Sequence, residues 1–154
     1  MQCFWGESAF AKLKGVRKTR VGYAGGTTIN PNYGNIGDHT EVTEVQFDPN
    51  MMSYEKSKYG DIETYVVKLD KFYPAENYHQ KYWLRNQKDI FNELKLNDSE
   101  VANSVLAAKM NAYCAGYSDF SELEELKKEH GLSDDLVNRI KTFAASGGDP
   151  RACH

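Results

Sequence analysis

The sequence lacks several features that would fix its class at once. It has no apolar run long enough to cross a bilayer, which needs about 20 residues. Its first residues do not read as an export signal, because the apolar stretch is short and carries Glu7 and Lys12. It has no excess of basic charge: the net charge is −3 over 154 residues, which argues against a dedicated nucleic-acid binder. It has only three cysteines, Cys3, Cys114 and Cys153, an odd and sparse count that reads as reduced thiols in an intracellular compartment. No Cys-x-x-Cys pair or histidine spacing supports a metal site, and there is no internal repeat or low-complexity tract.

What is present suits one domain with a real core. The chain changes character near residue 85. Before it, Gly, Tyr, Val and Thr are common, with turn clusters at Gly25-Gly26, Asn30-Pro31-Asn32 and Gly37-Asp38. After it, Leu, Ala, Lys and Glu dominate and the pattern is helical. The spacing of Trp5, Ala9 and Leu13, widened by Phe10, predicts a helix over residues 3–14, closed by Gly15. Strands are predicted over residues 16–23, 40–47 and 62–69. On the second of these Glu41, Thr43, Val45 and Phe47 share one face. Pro74 is expected to open a helix running to about Arg85. The last part reads as three helices. The first covers residues 98–116, the second opens with a Ser121/Glu124 capping box and closes at Gly131, and the third is capped by Ser133. Residues 147–154 are expected to form a mobile tail.

Cys3 opens the first helix. Unpaired N–H groups and a positive partial charge at that end favour a thiolate. Phe4 and Trp5 follow, rings that can cradle a small apolar group such as a methyl, and Gly6 allows close approach to the backbone. The same string also describes a small buried thiol followed by two core aromatics. Glu41 reads either as a carboxyl facing the core, where the neutral acid is favoured, or as a solvated strand-edge residue. His79 and Tyr82, three apart on the expected Pro74 helix, read either as a shell that orients the Glu41 region or as ordinary helix residues. His39 can be a simple turn residue, and Cys114 reads as packed and inert.

Two groups of motifs narrow these alternatives. Cys3-Phe4-Trp5-Gly6-Glu7, Gly22-Tyr23-Ala24-Gly25-Gly26, Asn30-Pro31 with Tyr33, and Gly37-Asp38-His39-Thr40-Glu41-Val42 follow one another in order. Phe72-Tyr73-Pro74-Ala75-Glu76-Asn77-Tyr78-His79-Gln80-Lys81-Tyr82 comes later. Together they resemble the peptide methionine sulfoxide reductase A family, and the helical remainder resembles the C-terminal extension of some animal members.

The resemblance implies an α/β fold, a ferredoxin-like two-layer sandwich with a helical C-terminal part. Residues 1–86 would be the reductase core, 87–146 a helical extension packed on it, and 147–154 the tail bearing Cys153. It implies an enzyme that reduces methionine S-sulfoxide, free or in proteins, in the repair of oxidative damage. Cys3 would be the nucleophile, with Phe4, Trp5 and Gly6 holding the S-methyl group and Glu41 and Tyr33 serving the sulfoxide oxygen. Cys153 would be the resolving thiol. His79 and Tyr82 would stand behind the site. No bound cofactor or metal is implied; the reductant would be thioredoxin or another dithiol. The expected state is a cytoplasmic monomer without nucleic-acid or membrane partners. The family pattern also has a strand before the Cys3 run, and a helix, an acidic loop and a strand with a second tyrosine after Tyr54. These have no counterpart here, which suggests a shortened sandwich with an open sheet edge. A non-catalytic isoform with a binding or regulatory role is the alternative.

Overall fold

The computed structural model describes residues 3–51 and 70–152, and the side chains of Cys3, Phe4, Trp5 and Met51 lie outside what it describes. The expected strand over residues 62–69 also falls outside. The class is the expected mixed α/β. The first helix, α1 (Cys3–Ala11), is followed by strands β1 (Val16–Ala24) and β2 (Thr40–Phe47). β3 (Phe72–Pro74) comes after the undescribed stretch. Six helices follow: α2 (Tyr82–Asn86), α3 (Lys88–Leu94), α4 (Asp98–Asn103), α5 (Val105–Cys114), α6 (Leu123–His130) and α7 (Asp134–Ala145).

Among the described residues the sheet has the order β2-β1-β3, all antiparallel. β1 is central and β2 and β3 are its edges. Partners face one side of an antiparallel ladder together. Val21 therefore shares a face with Thr43, and Tyr23 with Glu41. Phe47 shares that face by period but sits at the strand end and is largely exposed. On the opposite face Arg20 pairs with Glu44 at 2.6 Å and lies over the Phe72 ring.

α1 departs from its expected apolar stripe. Its inward residues are Glu7, Ser8 and Ala11, while Phe10 is 46% exposed. The reason is electrostatic. Lys81 Nζ lies 2.6 Å from Glu7 Oε1 and donates to the Thr19 carbonyl at 2.6 Å. The Lys81 backbone N–H donates to Glu7 Oε2 and the Thr19 hydroxyl to Glu7 Oε1. A charge this deep is tolerated only when paired and hydrogen-bonded. Ala11 then packs against Ala108 and Ala112 of α5, and Lys109 donates to the Leu13 carbonyl just past the helix end.

The region after Pro74 differs from expectation. Pro74 ends an edge strand, where its missing N–H costs nothing. Asn77–His79 form one 3-10 turn, and Lys81 adopts a left-handed φ of 54° before α2 begins. His79 and Tyr82 therefore lie on separate elements rather than on one helix face. Gln80 continues the sheet with its side chain. Its amide accepts from Val21 N–H and donates to Val21 and Ala75 carbonyls at 2.8–3.0 Å.

The predicted 98–116 helix is two, because Ser104 is extended and caps α5 by accepting from Ala107 N–H. A capping box is present at Asn97/Glu100. The one expected at Ser121/Glu124 is absent. Glu122 occupies the cap position of α6, Ser121 N–H goes to Asp119, and Glu124 pairs with Lys141. Gly131 ends α6 at φ 64° and Ser133 caps α7, both as expected. The main apolar core lies among these helices, and Trp83 and Leu84, just after the second motif, enter it. Residues 147–152 are packed rather than free: Asp149 N–H donates to the Cys114 carbonyl at 2.8 Å. No described helix is long and apolar enough to cross a membrane.

Candidate active site

The site is assembled at the end of the β1–β2 ladder. Glu7 of α1 lies beside Thr19, and Gly6 faces the Thr43 side chain. Thr43 is opposite Val21 in the ladder, two residues further along β1 than Thr19. Moving from Glu7 towards the start of α1 therefore moves towards Tyr23 and Glu41. α1 begins at Cys3, four residues before Glu7 along that direction.

The loop between β1 and β2 is held rigidly. Asp38 accepts both the N–H and the hydroxyl of Thr27 and of Thr28 at 2.8–3.0 Å. These backbone N–H groups hold its carboxyl well below the usual range. His39 accepts from Gly26 N–H through Nδ1 at 3.1 Å, so its Nε2–H donates to the Thr28 carbonyl at 2.8 Å. His39 is thus a structural pin of the loop. A Cβ at Gly26 would fall within 2.8 Å of Asp38 and His39, so the loop closes only on glycine.

That loop presents Tyr33 beside the second motif. Its ring centroid lies 4.9 Å from that of His79, and the Tyr78 ring centroid lies 4.1 Å from that of His79. Tyr33 is 52% exposed, whereas His79 is 6% exposed. Glu76, which the sequence reading missed, binds the parts together. Its Oε1 accepts from Tyr33 N–H at 2.8 Å and its Oε2 accepts from the Tyr23 hydroxyl at 2.9 Å. Burial opposes the Glu76 charge, but these donors and His79 keep its pKa below the ordinary value. Burial, then the hydroxyl's bond to Glu76, raises Tyr23 far above the usual phenol value, with Glu41 adding to the shift.

His79 has its pKa lowered by burial, partly opposed by the charges of Glu76 and Glu41. Among the described residues its Nε2 has no hydrogen-bond partner, and the Glu76 carboxylate stands 3.9 Å away. The arrangement therefore offers a half-buried carboxyl at Glu41, an exposed tyrosine and an imidazole with a free nitrogen. Tyr82 is elsewhere: its ring meets Trp83 at 5.2 Å and the Arg151 guanidinium at 5.8 Å. Cys114 is buried, and burial pushes its thiol pKa up strongly. Cys153 lies outside the described residues, as do the side chains of Cys3, Phe4 and Trp5. No group of three or more His, Cys, Asp or Glu fit to hold a metal occurs among the described residues.

The pattern of the peptide methionine sulfoxide reductase family matches residues 1–59 and 55–111. The chain is 31% identical to the peptide methionine sulfoxide reductase of Drosophila melanogaster, with 86% of this chain and 73% of that protein covered. It is 32% identical to peptide methionine sulfoxide reductase A5 of Oryza sativa, covering 73% of this chain and 65% of the relative. It is 28% identical to the protein MsrA of Methanococcus maripaludis, covering 60% and 93%. The alignment with the fly protein runs over 180 positions, yet 86% of 154 residues is only about 132. About 48 positions of that relative thus face no residue here (180 less 132). The two matched stretches overlap at residues 55–59. The motifs and these matches agree: the chain belongs to the peptide methionine sulfoxide reductase family, a family of enzymes.

Proposed function

We propose that this chain reduces methionine S-sulfoxide, free or within proteins, by thiol chemistry at Cys3. The observation that carries the reading is the direction of α1. Glu7 lies beside Thr19 and Gly6 beside Thr43, so the helix runs back from Glu7 towards the strand end that carries Glu41.

The Cys3 thiolate attacks the sulfoxide sulfur while Glu41 and Tyr33 supply protons to the oxygen. Phe4, Trp5 and Gly6 hold the S-methyl group. The methionine S–O bond breaks, the oxygen passes to the Cys3 sulfur as a sulfenic acid, and methionine leaves. Cys153 then condenses with it, giving a disulfide and water, and an external dithiol such as thioredoxin restores both thiols. No bound cofactor is needed, because the electrons come from thiols throughout. His79 steadies the Tyr33 side of the site. Tyr82 acts through the packing of α2. The protein works as a cytoplasmic monomer.

The test is turnover of a methionine S-sulfoxide peptide with dithiothreitol. Wild type consumes it and Cys3→Ser does not. A sulfenic-acid trap labels Cys3 only after exposure to sulfoxide. One observation favours a second reading, a binding or regulatory isoform without activity. It is the roughly 48 aligned positions of the fly relative that face no residue here. Folded wild type as inactive as Cys3→Ser would overturn the enzyme reading for this chain.

A further inference from the structure

Among the described residues, the large apolar and aromatic side chains left exposed are Phe10, Ile29, Tyr33, Phe47 and Tyr78. Two of these, Tyr33 and Tyr78, stand against one imidazole. Their ring centroids lie 4.9 Å and 4.1 Å from that of His79, and both rings are tilted against it. The two phenol rings are therefore no farther apart than the sum of those distances. That is the span of a few residues of extended peptide at about 3.3–3.6 Å each. A singly exposed apolar residue is ordinary, but two exposed aromatic rings gathered beside a candidate active site form a contact surface.

Local geometry explains why Tyr78 faces water while its neighbour does not. Asn77–His79 form a 3-10 turn, which advances by about a third of a turn per residue. Adjacent side chains diverge, so His79 is 6% exposed and Tyr78 is 58% exposed. The turn is fastened at both ends. His79 N–H donates to the Glu76 carbonyl at 2.9 Å and Gln80 N–H to the Asn77 carbonyl at 3.1 Å. Asn77 Nδ2 donates to Asp98 Oδ2 at 2.8 Å, and the Gln80 amide is tied to Val21 of β1. The Tyr78 ring thus stands on a support that is already ordered. A tyrosine has few torsions to freeze, so such a ring offers contact area at small entropic cost.

We propose that Tyr78 is a specificity-determining residue whose exposed ring receives an apolar or aromatic side chain next to the methionine sulfoxide of a peptide substrate. Oxidised peptides with such a neighbour are thereby favoured over the free amino acid. This rests on the reading of the site as one that reduces methionine sulfoxide with Tyr33 serving the sulfoxide oxygen. The residue adjoining the methionine has its Cα about 3.8 Å from the methionine Cα. With the oxygen held at Tyr33, that neighbour falls within the span between Tyr33 and Tyr78. Free methionine sulfoxide has no neighbour and leaves the ring in water. The gain is that of covering an aromatic face and pairing two rings. It acts on binding, and no atom of Tyr78 takes part in the transfer of oxygen.

The experiment measures steady-state turnover of the full chain with dithiothreitol on three substrates. These are free methionine S-sulfoxide, a capped peptide with glycine on both sides of methionine S-sulfoxide, and the same peptide with phenylalanine on both sides. Wild type has a kcat/KM on the phenylalanine peptide roughly fivefold above that on the glycine peptide, carried by KM. Tyr78→Ala removes that advantage and leaves kcat and KM on the other two substrates unchanged. Tyr78→Phe keeps the ring and keeps the advantage. Wild type that turns over both peptides equally well overturns the proposal and leaves the enzyme reading standing. An advantage that survives in folded Tyr78→Ala overturns it as well. A fall in kcat on all three substrates in Tyr78→Ala makes Tyr78 a support of His79 alone and also overturns it. Wild type that consumes none of the three overturns the enzyme reading, and the proposal falls with it.

Discussion

The Nζ of Lys81 lies 2.6 Å from the carboxylate of Glu7, and neither side chain reaches solvent. This pair joins the two motifs of the chain, because Glu7 belongs to the helix that Cys3 opens and Lys81 to the turn after His79. Burial lowers the Lys81 pKa, and the Glu7 carboxylate opposes that shift. The bond locks α1 against β1 and so sets where the start of the helix points.

Removing one partner leaves a buried, uncompensated charge. Lys81→Met should cost about 3–5 kcal/mol of folding stability, read as a lower denaturant midpoint. Adding Glu7→Gln to that variant should restore part of the loss. A Lys81→Met protein as stable as wild type would mean that the pair does not hold α1.

Glu76 should matter to the loop more than to the core. In Glu76→Ala both the Tyr33 N–H and the Tyr23 hydroxyl lose their acceptor. The expected cost is about 1–3 kcal/mol, with faster hydrogen exchange at Tyr33 N–H. Unchanged exchange there would show that Glu76 does not fasten the loop.

His79 gives the stability a pH dependence. Its folded pKa is lowered, chiefly by burial, so the unfolded chain binds its proton first as pH falls. The stability from keeping His79 neutral is complete above the ordinary value of about 6.5. It is lost as pH falls through the lower folded value. His79→Gln should flatten the stability profile below that ordinary value. A variant whose profile keeps the wild-type slope would assign the dependence to other groups.

Local signals in the sequence were read well where one residue decides the geometry. The span of β2 matches the predicted one, since alternation and flanking turns bound it on both sides. Gly131 and Ser133 punctuate the chain as expected because each acts through its own backbone or hydroxyl. The misses share a cause: polar side chains that act at long range. The apolar stripe read on α1 gave way to a face built on Glu7, whose partner is 74 residues away. The helix read from Pro74 broke at Lys81, which takes a left-handed turn to reach Glu7 and Thr19. Glu76 went unnoticed beside His79 because nothing near it in sequence marks its bonds to Tyr23 and Tyr33. The tail read as mobile from its glycines is tied down by one buried aspartate. Motif order does not specify that Tyr33 and His79 stand side by side; the loop and the Glu76 carboxylate do that.

The most direct test of the account is the amount of methionine formed in the first turnover, measured without any added reductant. Purified, reduced wild type mixed with excess methionine S-sulfoxide peptide should release about one equivalent of methionine per chain, since each Cys3 thiol carries out one reduction before it must be regenerated. Cys3→Ser should release none. Folded wild type that releases no more methionine than Cys3→Ser would contradict the account.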